Sequence, residues 1–288
     1  MRRFGLAQLL MLAPAHALLL AALALPALYV LWLSLTESSY GSASSFVGLA
    51  NYLALWDDRY FWRALGNTLV VIHIIIYAEL VLAILMAVTF AGLRRRRLLV
   101  SIILMPYAIS EVVAIVIWKF LMDPDVGALA RPLMALGVAE LNWTTDPTSG
   151  LTLVAIVSIW LHLPFSFLLI YAAVLAVPHE LREAAAVDGA GAWARFRHVV
   201  LPTILPTVLV ALVFRYIIAF RLFSEVWLLT GGGPARSTEV MALYLYKQAF
   251  TYANFGQGAA TGWVMVVASL LFAAGYVRLL QQRSFARV

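Results

Sequence analysis

The sequence predicts an all-α, polytopic membrane protein with six transmembrane helices, and three observations support this prediction. First, 64% of the 288 residues are hydrophobic and only 12% are charged, whereas soluble domains are about half apolar and about a quarter charged. Second, six apolar windows reach the roughly 20 residues that a span needs. Third, the loops between them alternate between basic and polar, aromatic-rich composition. The windows, which we assign to one transmembrane domain covering residues 1–288, are about 9–33, 67–90, 98–121, 151–176, 204–229 and 258–280.

Basic residues determine the predicted orientation. Twelve lie at the two ends and in one set of loops, and five lie in the other set. Because cytoplasmic loops are enriched in Lys and Arg, we predict that both termini are cytoplasmic, and the net charge of +6 then needs no nucleic acid to explain it. The first window is too long for the apolar part of a signal peptide, so we expect a retained helix. The twelve are Arg2, Arg3, Arg94, Arg95, Arg96, Arg97, Arg182, Arg195, Arg197, Arg278, Arg283 and Arg287; the five are Arg59, Arg63, Arg131, Arg236 and Lys247.

Several kinds of site are excluded by the sequence. The chain has no cysteine, and its five histidines have no metal-binding spacing, so we expect neither a disulfide nor a metal. No Walker-type motif occurs, so any ATP must be bound by another chain. Residues 230–234 (TGGGP) lack the Gly-Lys-Ser/Thr ending of such a motif and are predicted to form a sharp helix exit. Without a clustered nucleophile and base, we do not expect an enzyme.

Six charged residues fall inside the predicted spans. Each costs about 2.5–3.5 kcal/mol near a helix centre, so each needs a partner or a wet cavity. Mutual pairing and a direct role in a substrate pathway both remain open. Arg221 and Glu225 could pair locally at i,i+4, and Lys119 could extend to the interface. The six are Glu79, Glu111, Lys119, Arg215, Arg221 and Glu225.

Polar side chains midway along the third to fifth spans form the candidate substrate pathway. Next to Pro164, a polar and kinked patch could line a cavity or be satisfied by neighbouring helices. The candidates, chosen for depth and polarity, are Ser110, Glu111, Ser158, His162, Arg215 and Glu225.

The stretch EAAAVDGAGAWARFRHVVLP, residues 183–202, is charged and rich in Ala and Gly, although it lies between two very hydrophobic spans. Pro178 predicts the start of a short helix, and Gly189 predicts its end. A helix that rests on lipid usually has bulky apolar residues and a basic polar face. This stretch is small-faced and partly acidic, which favours a groove on another protein.

The same stretch resembles the EAA loop of permease subunits in binding-protein-dependent ABC importers, whose pattern is E-A-A-x3-G-x9-I-x-L-P. Glu183, Ala184 and Ala185 are followed at the matching spacing by Gly189 and by Leu201-Pro202, with Val199 in place of Ile. Residues 104–124, 160–185 and 214–234 are similar to the carbohydrate branch, and TGGGP to its MalF/UgpA-like subunits. The chain departs from the maltose-type subunit in having neither extra N-terminal helices nor a large periplasmic insertion. Maltose therefore cannot be inferred as its substrate.

The resemblance implies the type I ABC importer (MetI-like) permease fold and a non-catalytic subunit in the bacterial inner membrane. It would form half of the pathway for a sugar or sugar-like solute. The implied partners are a second, MalG-like permease, a dimer of cytoplasmic ATPase subunits that bind ATP and Mg, and a periplasmic or lipoprotein binding protein. The implied ATPase-coupling residues are Glu183, Ala184, Ala185, Asp188, Gly189, Leu201 and Pro202; the implied binding-protein contacts are Gly231, Gly232, Gly233 and Pro234.

The alternative is a self-contained secondary carrier or channel for a small polar solute. It would use Glu79, Glu111, Arg215 and Arg221 as an ion relay. This alternative leaves the pattern at residues 183–202 unexplained.

Overall fold

Long apolar helices dominate the computed structural model, which describes residues 6–41, 44–94, 96–137 and 142–285. Five helices among the described residues are long and apolar enough to cross a membrane, and a bent pair makes a sixth if it is counted as one span. The helices are α1 (Leu6–Ser34), α2 (Ala50–Asp57), α3 (Arg59–Ala91), α4 (Arg96–Leu104), α5 (Glu111–Leu121), α6 (Ala130–Ala135), α7 (Pro147–Leu175), α8 (His179–Val187), α9 (Ala192–Arg195), α10 (Leu201–Ala219), α11 (Ser224–Leu229), α12 (Met241–Tyr246) and α13 (Phe255–Phe285).

The chain forms two compact units, and the prediction of a single transmembrane domain stays a prediction. In the first unit, a two-residue antiparallel pair, β1 (Thr36–Glu37) with β2 (Ser45–Phe46), follows α1. The side-chain amide of Asn51 on α2 donates to the carbonyls of Ser34 and Thr36, both at 2.9 Å, and so fixes the end of α1. The first unit comprises Met1–Phe61 and Tyr244–Val266, and the second comprises Trp62–Leu243 and Val267–Val288.

The core of the second unit is built by α3, α7 and α10. Small and branched side chains from the three helices pack together with almost no exposure. In a membrane, the lipid acyl chains are as apolar as the helices, so there is little hydrophobic driving force between helices. Close packing and interhelical hydrogen bonds hold them together instead. This packing places one face of α7 between α3 and α10. The most buried members include Ile72, Ile76, Ala83, Phe167, Ile170, Ile204, Ala211 and Tyr216.

Local sequence explains where α7 begins. Asp146 is its N-cap, and one carboxylate oxygen accepts hydrogen bonds from the Ser149 hydroxyl at 2.6 Å and the Ser149 backbone N–H at 2.7 Å. Pro147 occupies the first turn, where its missing N–H leaves no hydrogen bond unmade. The bonds from the side chain and then the backbone of Ser149 hold the pKa of Asp146 below its usual range.

The third predicted window, 98–121, is not one straight helix. α4 is followed by a 3-10 turn at Met105–Ala108, and the chain bends by 100° before α5. Pro106 lies in this turn, where it lacks an N–H and its ring excludes the carbonyl four residues earlier. The apolar window did not reveal the bend because both arms are apolar.

The helix that contains the first part of the fifth predicted window, 204–229, begins before that window. The membrane-length helix begins at Ala192, because a π-helical turn at Phe196–Val200 joins α9 directly to α10. In this turn the Leu201 N–H donates to the carbonyl of Phe196, five residues earlier. Pro202 follows at once, and its missing N–H and bulky ring disfavour regular α-helical bonding here.

The same window also ends differently from the prediction. α10 stops at Ala219, the chain turns, and α11 starts at Ser224. Arg221 lies in the turn and Glu225 in α11, so the two are not on one helix. The structure describes both residues and shows no ion pair between them, so the local pairing that the sequence left open does not form. Of the arginines used for the predicted orientation, Arg2, Arg3, Arg95 and Arg287 lie outside the described residues.

Candidate functional site

One face of α7 carries a row of polar side chains. Ser158, His162 and Ser166 are spaced four residues apart, which places them on the same face of the helix over successive turns. The first two approach Glu225 on α11, and the third approaches Glu79 on α3. A single row on α7 therefore serves two separate carboxylates.

Glu79 belongs to a dry ion pair. Its Oε2 accepts from Arg215 Nε at 2.9 Å and lies 2.8 Å from Arg215 Nη2, while Ser166 donates its hydroxyl to Oε1. The side chains of Glu79 and Arg215 are 0% and 2% exposed. Because the pair is shielded from water, its charge-assisted hydrogen bonds are stronger than exposed ones. For Glu79 and Arg215, the structure therefore shows the mutual pairing that the sequence left open.

Glu225 has weaker partners and lies beside a cavity. Its Oε1 accepts from the Ser158 hydroxyl at 2.9 Å, and His162 Nε2 lies 3.5 Å from the same oxygen. The Glu225 side chain is 3% exposed, but that of His162 is 25% exposed. The polar patch around Pro164 thus does both things that were left open, since His162 lines a cavity and Ser166 is satisfied by α3.

A cavity of about 390 Å³ collects most of the predicted pathway residues. Five of the six candidates line it; the exception, Ser110, is exposed at the N-cap of α5 and does not line this cavity. Arg221 and Ser224 also line it, although the pathway prediction omitted them. The turn between α10 and α11 brings them there, and no local sequence signal marked that turn. The five predicted lining residues are Glu111, Ser158, His162, Arg215 and Glu225.

The lining suits a solute that both donates and accepts hydrogen bonds. Its carboxylates only accept, its guanidinium groups only donate, and its hydroxyls do both. Apolar side chains such as Ile75 and Phe223 supply the rest of the wall. Seven of the twelve lining residues are polar or charged, so the cavity suits a polar small molecule better than an apolar one.

Lys119 fixes α5 to α11, the helix that carries Glu225. Its Nζ donates to the carbonyl of Leu228 at 2.7 Å. This carbonyl lies in the last turn of α11, where carbonyls have no partner within the helix and attract cations. Lys119 therefore has a structural role, like Glu79 and Arg215. Glu111 and Arg221 instead line the cavity.

The predicted short helix of the EAA-like stretch is confirmed as α8. It starts directly after Pro178, and Gly189 ends it with a φ of +75°. The Gly189 N–H donates to Ala186 O at 3.1 Å and the Ala190 N–H to Ala185 O at 2.9 Å, the two bonds of a Schellman motif. A left-handed residue is needed here, and glycine adopts that conformation without strain.

The predicted coupling residues are divided between two helices. Glu183, Ala184 and Asp188 are exposed on or next to α8, and Ala185 is half-buried. Glu183 Oε1 lies 3.2 Å from His179 Nδ1, one turn away, and its side chain is 66% exposed. Leu201 and Pro202 are half-buried at the start of α10. What these residues contact in an assembled transporter stays a prediction.

The TGGGP segment forms a tightly bonded helix exit. Gly231 and Gly232 have φ values of +61° and +85°, as expected for glycines at a sharp turn. Thr238 donates its hydroxyl to Thr230 Oγ1 and to the Gly233 carbonyl, both at 2.8 Å. Of the four predicted contact residues, Gly231 is exposed, Gly232 is buried, and Gly233 and Pro234 are half-buried. Their role as contacts stays a prediction.

Known proteins resemble this chain over most of its length. It is 37% identical over 254 residues to the trehalose transport system permease protein SugA of Mycobacterium tuberculosis, covering 87% of this chain and 81% of that protein. It is 32% identical over 271 residues to the trehalose/maltose transport system permease protein MalF of Thermococcus litoralis, covering 93% of this chain and 92% of that protein.

A solved structure confirms the predicted permease fold. A chain of a bacterial alginate ABC transporter, in complex with an alginate pentasaccharide-bound periplasmic protein, superimposes with a TM-score of 0.81 at 23% identity, covering 92% of this chain and 91% of that chain. The family described as "Binding-protein-dependent transport system inner membrane component" matches residues 79–285. This chain therefore belongs to that family and is a membrane-spanning permease subunit of an ABC importer.

Proposed function

We infer that this chain forms half of the translocation pathway for a sugar or sugar-like solute. The observation that carries this inference is the cavity that gathers Glu111, Ser158, His162, Arg215 and Glu225. Its mixture of donors and acceptors matches hydroxyl groups, which donate and accept at the same atom. The relatives named for trehalose and maltose transport support the same class of solute.

The assembly that we propose has four kinds of subunit. A second, MalG-like permease completes the pathway, a periplasmic or lipoprotein binding protein delivers the solute, and a dimer of cytoplasmic ATPase subunits supplies the energy. ATP and Mg bind to those ATPases and not to this chain, which catalyses no reaction. The excess of basic residues at the chain ends supports an inner-membrane topology with both termini in the cytoplasm.

The exposed surface of α8 is the proposed docking point for an ATPase subunit. Ala184 and Ala185 leave room for close approach, and Glu183 offers a carboxylate to a basic side chain. Closure of the ATPase dimer would draw α8 inward and change which side of the membrane the cavity faces. A self-contained carrier needs no such surface, and the family of this chain does not support that alternative.

The pathway assignment is tested with two serines. Ser158→Ala removes a cavity hydroxyl that donates to Glu225, whereas Ser110→Ala removes an exposed one outside the cavity. In proteoliposomes containing the assembled importer, we expect Ser158→Ala to lower uptake by up to about tenfold, because the solute loses a cavity hydroxyl and one hydrogen bond is worth about 0.5–1.5 kcal/mol. Ser110→Ala should transport like the unmodified chain. Equal uptake by both variants would remove the cavity from the pathway. Screening sugars for stimulation of ATP hydrolysis first identifies the solute.

The docking assignment is tested with two glutamates of α8. Glu183→Lys reverses the proposed contact, and Glu180→Lys makes the same charge change in the first turn of the same helix. We expect Glu183→Lys to abolish uptake and solute-stimulated ATP hydrolysis while the protein stays folded and inserted. Glu180→Lys should retain most of both activities. Full stimulation in the Glu183→Lys importer would contradict the assignment.

A further inference from the structure

A second cavity, of about 440 Å³, lies in the same compact unit where α3 and α7 end and α8 and α9 begin. Its walls are apolar side chains such as Val88, Val174, Phe196 and Val200. Two arginines, Arg182 on α8 and Arg195 on α9, also line it, and its described lining residues include no acidic residue. The cavity therefore combines apolar walls with two cationic groups.

Arg182 is only partly satisfied by the protein. One terminal nitrogen donates to the Val174 carbonyl at the end of α7, which holds the guanidinium in place. Its Nε is buried and has no hydrogen-bond partner among the described residues. A buried N–H without an acceptor is costly and uncommon in folded proteins, so this guanidinium has hydrogen-bonding capacity that the described part of the chain does not meet. The nearest acids along α8 do not supply it, since neither Glu180 nor Glu183 lines the cavity.

The chemistry of this cavity selects a phosphate group carrying hydrocarbon. Arginine binds phosphate oxygens through paired N–H groups, and two arginines can share one phosphate. A free ion would make no favourable contact with the apolar walls, whereas the start of an acyl chain can pack against them. Arg94, Arg96 and Arg97 follow Gly92 of the cavity wall closely in sequence and are exposed, which adds attraction for an anionic membrane surface.

We propose that this cavity binds the phosphate of an anionic phospholipid between Arg182 and Arg195. The lipid would rest against the base of α8 and the start of the membrane-length helix at Ala192. This site goes beyond the proposed transport function, and its occupancy can be measured without any transport assay.

The test uses the assembled importer in nanodiscs and phosphatidylglycerol as the probe. Native mass spectrometry and thermal unfolding compare phosphatidylglycerol with phosphatidylcholine, and inorganic phosphate is added in a separate arm. We expect one retained phosphatidylglycerol and a raised unfolding temperature. Arg182→Gln or Arg195→Gln should weaken binding by about tenfold each, as expected for loss of about 1.4 kcal/mol. Arg197→Gln, an exposed arginine that does not line the cavity, is the control and should bind normally.

Three outcomes would overturn the proposal. The first is retention of phosphatidylglycerol by the Arg182→Gln/Arg195→Gln variant at the unmodified level. The second is an equal shift with inorganic phosphate, which would indicate a free anion. The third is an equal shift with phosphatidylcholine, which would indicate no charge recognition. If the double glutamine variant does not fold, Arg182→Lys and Arg195→Lys keep the charge but lose the paired N–H groups, and weaker binding is still expected from them.

Discussion

Glu79 and Glu225 are two buried carboxylates supported by the same face of α7, yet their surroundings differ. Glu79 is fully buried between a guanidinium and a hydroxyl, and its charge is neutralised by Arg215. Glu225 has a hydroxyl and a more distant, quarter-exposed imidazole, and it lines a cavity. Equal burial therefore does not mean equal surroundings: the first carboxylate fastens α3 to α10, whereas the second lines the cavity of the proposed pathway.

This difference predicts that the two carboxylates fail in different ways. Glu79→Gln would leave Arg215 as an unpaired buried charge, and such losses cost about 3–5 kcal/mol of unfolding free energy. Glu225→Gln keeps the Ser158 contact and removes only a charge beside the cavity, so we expect a cost of about 1 kcal/mol. Thermal unfolding of the purified protein in detergent measures both.

A double variant sharpens the result. Glu79→Gln combined with Arg215→Met removes both charges, and replacing a buried pair with apolar groups is often close to neutral. We therefore expect most of the lost stability to return. If Glu79→Gln alone unfolds no more easily than Glu225→Gln, then the ion-paired carboxylate and the cavity-lining carboxylate do not differ as described.

The serines of α7 provide a smaller test of the same contrast. Ser166→Ala removes a donor from the dry carboxylate, so we expect a loss of about 1–3 kcal/mol of stability. Ser158→Ala removes a donor from Glu225, where water in the cavity can replace it, and stability should change by less than about 1 kcal/mol. Ser166 does not line the cavity, so Ser166→Ala should lower uptake less than Ser158→Ala, and the two variants should rank in opposite orders in unfolding and in uptake. The same order in both assays would contradict the described difference between Glu79 and Glu225.

Asp146 offers the smallest effect, because it is a half-buried carboxylate that caps the start of the same helix. Its folded-state pKa is lowered, so its contribution is present above the unfolded value of about 3.9 and is lost as pH falls through the folded value. Asp146→Ala should lower the unfolding temperature near pH 7, and the difference should shrink at the acidic end of a series from about pH 7 to pH 3. A difference that does not vary with pH would assign the effect to helix propensity and not to the charged cap.

Local patterns made α8 predictable, whereas long-range contacts did not. Pro178 and Gly189 mark the ends of that helix in the sequence itself, and the short-range hydrogen bonds follow from them. Depth and polarity selected six residues, of which five line one cavity, and their role in a pathway stays a prediction. The partner of Glu79 could not be chosen, because Arg215 lies 136 residues away and six charges allow several pairings.

The bend in the third window and the break in the fifth have different causes. Pro106 was visible in the third window and is the physical signal for its bend, but apolar composition alone outweighed it. The turn after Ala219 has neither glycine nor proline, so nothing local announced it. It becomes understandable only when Glu225 is seen to meet Ser158 and His162 on α7.

The continuous helix from Ala192 to Ala219 would carry a tilt at its first residue along its whole length. Arg215 lies about 35 Å along its axis from Ala192, so a tilt of about 5° at the loop end would carry Arg215 about 3 Å sideways. That distance exceeds what the hydrogen bonds to Glu79 can tolerate, unless α3 moves with it. The second and fifth spans would therefore either move together as one rigid body, or the Glu79–Arg215 ion pair would have to break before the tilt is complete.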